Sequence, residues 1–294
     1  MGRLYGGVET GGSWCACALG DGPDGIVAEF TFETVAPDQT VAQIAAFFAA
    51  HPRPRAVGIG AFGPLDLDPD SPTWGHLTTT PKPGWSHAAL APALAERLGV
   101  PVAIDTDVNA AALAEHRWGA GRGTGSLCYL TVGTGIGAGI VVDGRPLHGL
   151  IHPEAGHMLI GHDRHADPFA GCCPVHGDCW EGLASGPAIA QRWGSPAQQL
   201  PDEHAAWALE ADYLARGILN IVLVASPQRI VAGGGVLARA PLLAAVRARL
   251  RELAGGYLRT PLLGEQVDSY LVAPALGERA GALGAIALAQ DAVG

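Results

Sequence analysis

Lysine is all but missing from this chain. Lys82 is the only one among 18 basic residues, and the acids outnumber the bases to a net charge of −10. The arginines are scattered and build no basic cluster, so a nucleic-acid-binding surface is not expected. Richness in alanine, glycine and arginine with so little lysine reads as genome composition rather than mechanism. Long apolar runs are also missing. The longest, residues 217–225, contains Asn220 and falls short of the roughly 20 residues a membrane helix requires. The N-terminus enters a strand pattern directly, without a signal-peptide core, so no membrane partner and a cytoplasmic address are expected. Cysteines are few. Cys15, Cys17 and Cys128 lie in apolar alternating stretches, while Cys172, Cys173 and Cys179 cluster. That distribution suits a reduced compartment rather than a disulfide framework, and 294 residues can bury ample cores without covalent staples.

What is present centres on Glu154-Ala-Gly-His157 and Cys173-Pro-Val-His176-Gly-Asp-Cys179-Trp-Glu181. His157, Cys173, His176 and Cys179 supply the four borderline-soft ligands of a closed tetrahedral zinc site. Cys172, beside Cys173, is either a substitute ligand or a small filler. Histidines abound in this region, so any single one also reads as a solvated loop residue; the Cys-x-x-His-x-x-Cys spacing is the specific part. Glu154 and Glu181 bracket the cluster, where a structural metal would hold two acids in place for a polar substrate.

Taken in order, two apolar strands joined through Gly11-Gly12-Ser13 form a hairpin whose amides can approach a phosphate closely, with Glu9 two positions earlier to hold a cation. A Gly-Gly hairpin also occurs as a plain turn. A helix is expected over Thr40–Ala49, a buried strand over Ala56–Phe62, and a long polar loop over Asp66–Trp85 carrying Thr80. A helix from about His87 to Leu98 precedes the strand Val100–Ile104, which runs into Asp105-Thr-Asp107-Val-Asn109 and a helix ending at Trp118. Open α/β sheets place reacting groups at the carboxyl end of such a strand, and one polar residue of the surplus suffices as a helix cap. Residues 126–144 repeat the opening architecture, with Gly133-Thr134-Gly135 as a second glycine hairpin, so the chain reads as a duplication of one motif. No Gly-Lys-Ser/Thr follows either hairpin, which excludes a Walker loop. From Ser185 the chain reads as helical to Leu253, interrupted once by a strand ending in Gly233-Gly234-Gly235, a turn that suits the adenosine side of a nucleotide. Residues 274–289 read as an Ala/Gly-rich helix.

In combination these motifs resemble the ROK family (repressors, open reading frames and kinases) along essentially the whole chain. Glu9-x-Gly-Gly-Ser13 is similar to the family's first phosphate loop, usually Asp-x-Gly-Gly-Thr; Gly133-Thr-Gly-Ile-Gly137 resembles the second. Asp107-x-Asn109 resembles the catalytic segment, and Glu154-x-Gly-His157 through Cys179-x-Glu181 the sugar and zinc signature. Thr79-Thr-Pro-Lys-Pro-Gly-Trp85, the Cys-x-x-His-x-x-Cys form and residues 181–187 are similar to the family's bacterial fructokinase branch. Glu9, Ser13 and Thr106 depart from the usual Asp, Thr and Asn, and the usual cysteine spacing is altered.

The resemblance implies an α/β, two-lobed actin-like or Hsp70-like sugar kinase fold with ribonuclease H-like lobes, a zinc-bound loop and an active site in the cleft. The lobes are expected at residues 1–119 and 120–276, with a helix over 277–294 returning to the first. It implies transfer of the ATP γ-phosphoryl group to the 6-hydroxyl of D-fructose. Mannose, glucose or an N-acylhexosamine are alternative acceptors, and a non-catalytic sugar sensor is the alternative of another class. Asp107 is the implied proton acceptor. Glu154, His157, Glu181, Asn109 and Thr80 would bind sugar, and Gly11, Gly12, Ser13, Thr134, Gly135, Gly233, Gly234 and Gly235 the nucleotide. Magnesium would sit on Glu9 and Asp107, and zinc on His157, Cys173, His176 and Cys179. A homodimer is the implied assembly. The family's repressors carry a helix-turn-helix arm, for which a first loop within ten residues of Met1 is expected to leave no room.

Overall fold

Residue alternation sets the first sheet. In Tyr5–Thr10 (β1) and Trp14–Gly20 (β2), Val8, Cys15, Cys17 and Leu19 bury on one face, as a period of two requires. The computed structural model describes residues 3–294. The strand Ala28–Glu33 (β3), the helix Pro37–Ala49 (α1) and the strand Val57–Ala61 (β4) follow. Next come the helix Leu90–Leu98 (α2), the strand Val102–Thr106 (β5) and the helix Asp107–Trp118 (α3). The sheet order is β3-β2-β1-β4-β5; β2 pairs antiparallel with β1 and β3, whereas β4 pairs parallel with β1 and β5.

The second half supplies Ser126–Val132 (β6), Ile136–Val142 (β7) and Arg145–Pro146 (β8), then the helices Trp180–Ala184 (α4), Gly186–Trp193 (α5) and Ala206–Ala225 (α6). Arg229–Gly233 (β9), Ala240–Ala254 (α7), Val267–Tyr270 (α8), Leu271–Val272 (β10) and Ala280–Asp291 (α9) complete it. Its sheet order is β10-β9-β6-β7-β8. Counted within each half, both sheets run 3-2-1-4-5, so the repeat visible in the glycine hairpins extends to the whole strand topology. Contacts gather the chain up to Gly123, Gly139–Pro153 and Ala275–Gly294 into one compact unit, and Thr124–Ala138 with Glu154–Pro274 into another.

In the first unit, α1 and α2 cover one face of the sheet through Val41, Ile44, Phe47, Phe48, Leu90 and Leu94. The other face takes α9, whose Ala282 and Ile286 join Tyr5 and Ala18 in a separate cluster. That helix lies unusually close. A Cβ at Gly7 would strike the carbonyl of Ala282, one at Gly58 the carbonyl of Ala285, and one at Gly284 the carbonyl of Ala110 in α3. Its Ala/Gly composition is therefore a packing requirement.

Several boundaries differ from the sequence expectation. α1 starts at Pro37, a residue pre-set for the first helical position. α2 starts only at Leu90, because His87 takes a φ of 62°. β5 runs two residues further, through Asp105 and Thr106. The chain is not helical from Ser185 to Leu253 with one break: Gly194, φ 68°, ends α5, and α6 begins only at Ala206. β3 shows no alternation in the sequence because, as an edge strand, it buries only Phe32. The last helix starts at Ala280, after a 3-10 turn at Gly277–Arg279. Among the described residues, no helix is long and apolar enough to cross a membrane.

Candidate active site

In the first unit the glycine turn after β1 has its carbonyls tied down. Thr34 Oγ1 donates to Gly11 O (2.7 Å), Lys82 Nζ to Gly12 O (2.6 Å) and Thr34 N to Ser13 O (2.8 Å). Gly11 N closes the turn on Trp14 O (2.9 Å). Gly12 and Ser13 are exposed, so their amides are the turn's candidate donors to an anion. Glu9 sits behind the turn, against Gly281 of α9, where a Cβ would collide with its carboxyl.

Asp107 opens α3. Thr106 is the cap, its hydroxyl accepting from Asn109 N (3.1 Å), so Asp107 is released from capping. Val108 N donates to Asp107 Oδ1 (2.8 Å). Burial pushes the Asp107 carboxyl up to about 6, and burial together with the Asp107 charge pushes Glu9 up to about 7. Two neighbouring acids that resist ionisation are the electrostatic setting a divalent cation relieves. Asn109 is fully buried and donates through Nδ2 to Asp105 Oδ1 (2.8 Å). Asp105 Oδ2 meets His148 Nε2 at 2.9 Å. Neither the Asp105–His148 pair nor the Thr34 anchor leaves a local sequence signal, since each joins segments distant in sequence. Thr80 lies in the loop before α2, its Oγ1 accepting from Lys82 N (3.4 Å) and its carbonyl from Ser86 Oγ (3.1 Å).

In the second unit, His157, Cys173, His176 and Cys179 bring one ligand atom each within 4.8 Å of one another. The 3-10 turn Ala155–His157 presents His157. Cys173 and His176 belong to a knuckle closed by Cys173 N to Gly177 O (3.1 Å) and the reverse bond (2.9 Å), with Gly177 at φ 67°. Cys179 precedes the wholly buried Trp180, whose ring lies where a Cβ on Gly217 of α6 would be. His157 Nδ1 is 3.7 Å from Cys173 Sγ and 3.6 Å from Cys179 Sγ; His176 Nδ1 is 3.8 Å from Cys173 Sγ. Zn–S and Zn–N bonds of about 2.3 and 2.05 Å at a tetrahedral angle put sulfur and nitrogen about 3.6 Å apart, so these sulfur–nitrogen spacings are of the size a tetrahedral zinc site requires. Burial pushes the Cys179 thiol up to about 11, with Cys173 adding to it, a penalty that a bound cation reverses. Cys172 lies outside the cluster, its Sγ 4.0 Å from Ser185 Oγ.

The metal-like segment also holds the second glycine turn. Glu181, in the first turn of α4, accepts from Ile136 N through Oε2 (2.9 Å) and packs on Gly135. Gly133 O accepts from Gly186 N (2.7 Å), and Gly133 N donates to Gly135 O (2.8 Å). A Cβ at Gly156 would strike the carbonyl of Ile136. This explains the glycine in Glu154-x-Gly-His157. Glu154 itself is exposed, its carbonyl accepting from His157 N (3.0 Å). Thr134 lies within the turn. Gly233 ends β9, and Gly234, φ 93°, passes so close to Val132 that no side chain fits. Residues 234–239 form a turn, so α7 does not follow the three glycines directly as expected.

This constellation has close counterparts. A fructokinase from Zymomonas mobilis is 44% identical over 99% of this chain and 97% of its own length. A ROK hexokinase from Thermus thermophilus matches with a TM-score of 0.80 and 29% identity, covering 99% of each chain. A ROK family glucokinase from Streptomyces griseus, solved in complex with glucose and AMPPNP, matches with a TM-score of 0.76 and 26% identity over 98% of this chain and 99% of its own. The sequence model of the ROK family spans residues 5–292, and with both sheets, both glycine turns and the Cys/His cluster in place, the chain belongs to that family.

Proposed function

We propose that this protein is an ATP-dependent fructokinase that transfers the γ-phosphoryl group of ATP to the 6-hydroxyl of D-fructose. The observation that carries the reading is 44% identity along 99% of the chain to a fructokinase, with an uncapped acid, Asp107, standing at the start of α3. Asp107 takes the proton of the hexose hydroxyl as its oxygen attacks the γ-phosphorus, and ADP leaves. With Val108 N on Oδ1, Oδ2 is the accepting oxygen. The amides of Gly12 and Ser13, and the turn Gly133-Thr134-Gly135, position phosphates; Gly233, Gly234 and Gly235 line the adenosine.

Such transfer is mostly positioning and charge neutralisation. Magnesium held by Glu9 and Asp107 with the nucleotide would neutralise charge between the phosphates. Glu154, His157 and Glu181 orient the hexose, Thr80 contributes from its loop, and Asn109 acts through Asp105 on the same strand end. Glu181 keeps Oε2 on Ile136 N and offers Oε1 to a sugar hydroxyl. Zinc on His157, Cys173, His176 and Cys179 is structural: it would fix the segment that carries Glu154 and Glu181. A cytoplasmic homodimer is the setting we assign.

The test is ADP release with MgATP across fructose, mannose, glucose, N-acetylmannosamine and N-acetylglucosamine, with Asp107→Asn as the blank. Preference for fructose, lost in the variant, supports the reading. Preference for another hexose keeps the chemistry and moves the substrate. Silence on all five from folded, metal-loaded protein refutes it in favour of a sugar-sensing role.

A further inference from the structure

By composition the single lysine looks like residue bias; its position says otherwise. Lys82 sits in the loop preceding α2, and its ammonium reaches 70 residues back to the carbonyl of Gly12, at 2.6 Å. The loop is held so that the reach is repeatable. Trp85 is fully buried, its Nε1 donates to Val35 O (2.9 Å) and its ring packs edge-on against Phe62 at 5.1 Å. Ser86 Oγ donates to Thr80 O (3.1 Å), and His87 N to Thr78 O (2.9 Å). The stem leaving this clamp therefore points its charge at the glycine turn, one residue from Ser13.

An ammonium has three donors, and the structure gives one of them to Gly12 O. Arginine's planar fork suits a flat bidentate partner, whereas a compact point charge suits a phosphoryl group whose charge moves during transfer. In a chain where every other basic residue is arginine, a lysine at this turn is chemically distinctive. The turn follows directly on Glu9, whose carboxyl feels the charge of Asp107, and the turn and the proposed proton acceptor belong to the same unit.

We propose that Lys82 is a catalytic residue, a second cationic ligand of the transferring γ-phosphoryl group, anchored beside it by the Gly12 carbonyl. The inference rests on the phosphoryl-transfer reading above. It makes the loop 78–86 a phosphate-contacting element as well as a candidate sugar-contacting one.

The experiment compares wild type with Lys82→Met, Lys82→Gln and Lys82→Arg in steady-state kinetics with fructose and MgATP. In parallel, calorimetry measures binding of MgADP and of a non-hydrolysable ATP analogue. Removing one transition-state donor costs on the order of 100-fold in kcat. Lys82→Met is expected to show that loss, with the fructose KM and the melting temperature unchanged. Its affinity for the ATP analogue falls about tenfold, equivalent to one charge-assisted hydrogen bond, while its affinity for ADP stays the same. Lys82→Arg recovers part of the rate. Lys82→Gln keeps a neutral donor for Gly12 O but no charge, and is expected to remain as slow as Lys82→Met. A Lys82→Met rate near wild type, equal weakening of both nucleotides, or full recovery in Lys82→Gln would each overturn the proposal, the last by showing that the bond only ties the loop to the turn. If wild-type protein transfers nothing to any hexose, the phosphoryl-transfer reading fails, while the contrast between the two nucleotides still decides Lys82.

Discussion

The two glycine turns occupy equivalent places in a duplicated topology, yet they are held by different partners. The first is held by its carbonyls: Thr34 and Lys82 donate to Gly11, Gly12 and Ser13. The second is held at one carbonyl, Gly133 O accepting from Gly186 N, and also at an amide, with the carboxylate of Glu181 accepting from Ile136 N and Gly156 of the His157 segment pressed beneath it. The first turn therefore draws its geometry from a strand end and a clamped loop. The second draws its geometry from the segment that presents the four metal-type ligands. Duplication preserved the sheets and the turns, while each half found its own way of fixing the turn. Loss of the metal should consequently damage one turn and spare the other.

The largest effect expected leaves both turns standing. Asp107→Asn removes the proton acceptor and should lower kcat by about a thousandfold, within the range of general-base catalysis, with fructose binding retained. Full activity in the variant would remove Asp107 from its role. Metal removal sharpens the comparison most. Stripping any metal held by His157, Cys173, His176 and Cys179, or Cys179→Ala, should lower the melting temperature and accelerate hydrogen exchange at Ile136 while the amides around Gly12 keep their protection. An unchanged melt after verified metal removal would contradict a structural site.

Glu181→Ala leaves Ile136 N without its acceptor, a loss of about 1–3 kcal/mol, and should raise the KM for ATP about tenfold. Glu181→Gln, whose amide oxygen can accept the same bond, should recover most of it; failure to do so would assign the loss to charge rather than to the turn. The smallest effect expected is Thr34→Val. Deleting its 2.7 Å bond to Gly11 O is worth about 1 kcal/mol, roughly a fivefold rise in the KM for ATP with second-turn mutants unaffected by it.

What the sequence made legible was local. Gly11-Gly12, Gly133-Thr-Gly135 and Cys-x-x-His-x-x-Cys carry their geometry within a few residues, because a turn or a metal knuckle is a short-range object. The strand–helix junction at Asp107 was legible for the same reason, although the identity of the cap, Thr106, needed coordinates. The supports of those motifs were not legible. Thr34 sits next to an edge strand whose exposed residues mask its alternation, Lys82 acts 70 residues away, and His148 joins Asp105 across 43. Long-range pairing leaves no periodicity to read. The sequence shows α9 only as an Ala/Gly-rich helix, and the close approach to β1, β4 and α3 shows why no larger residue fits.

The central claim is that this chain moves the γ-phosphoryl group of ATP to carbon 6 of fructose. The most direct measurement is phosphorus–proton correlation NMR of the product formed from protein, MgATP and D-fructose. One hexose phosphate is expected, its phosphorus coupled to the two protons on C6, and none from Asp107→Asn. Coupling to C1 protons instead, or no phosphorylated hexose at all from folded protein with its metal bound, would contradict it.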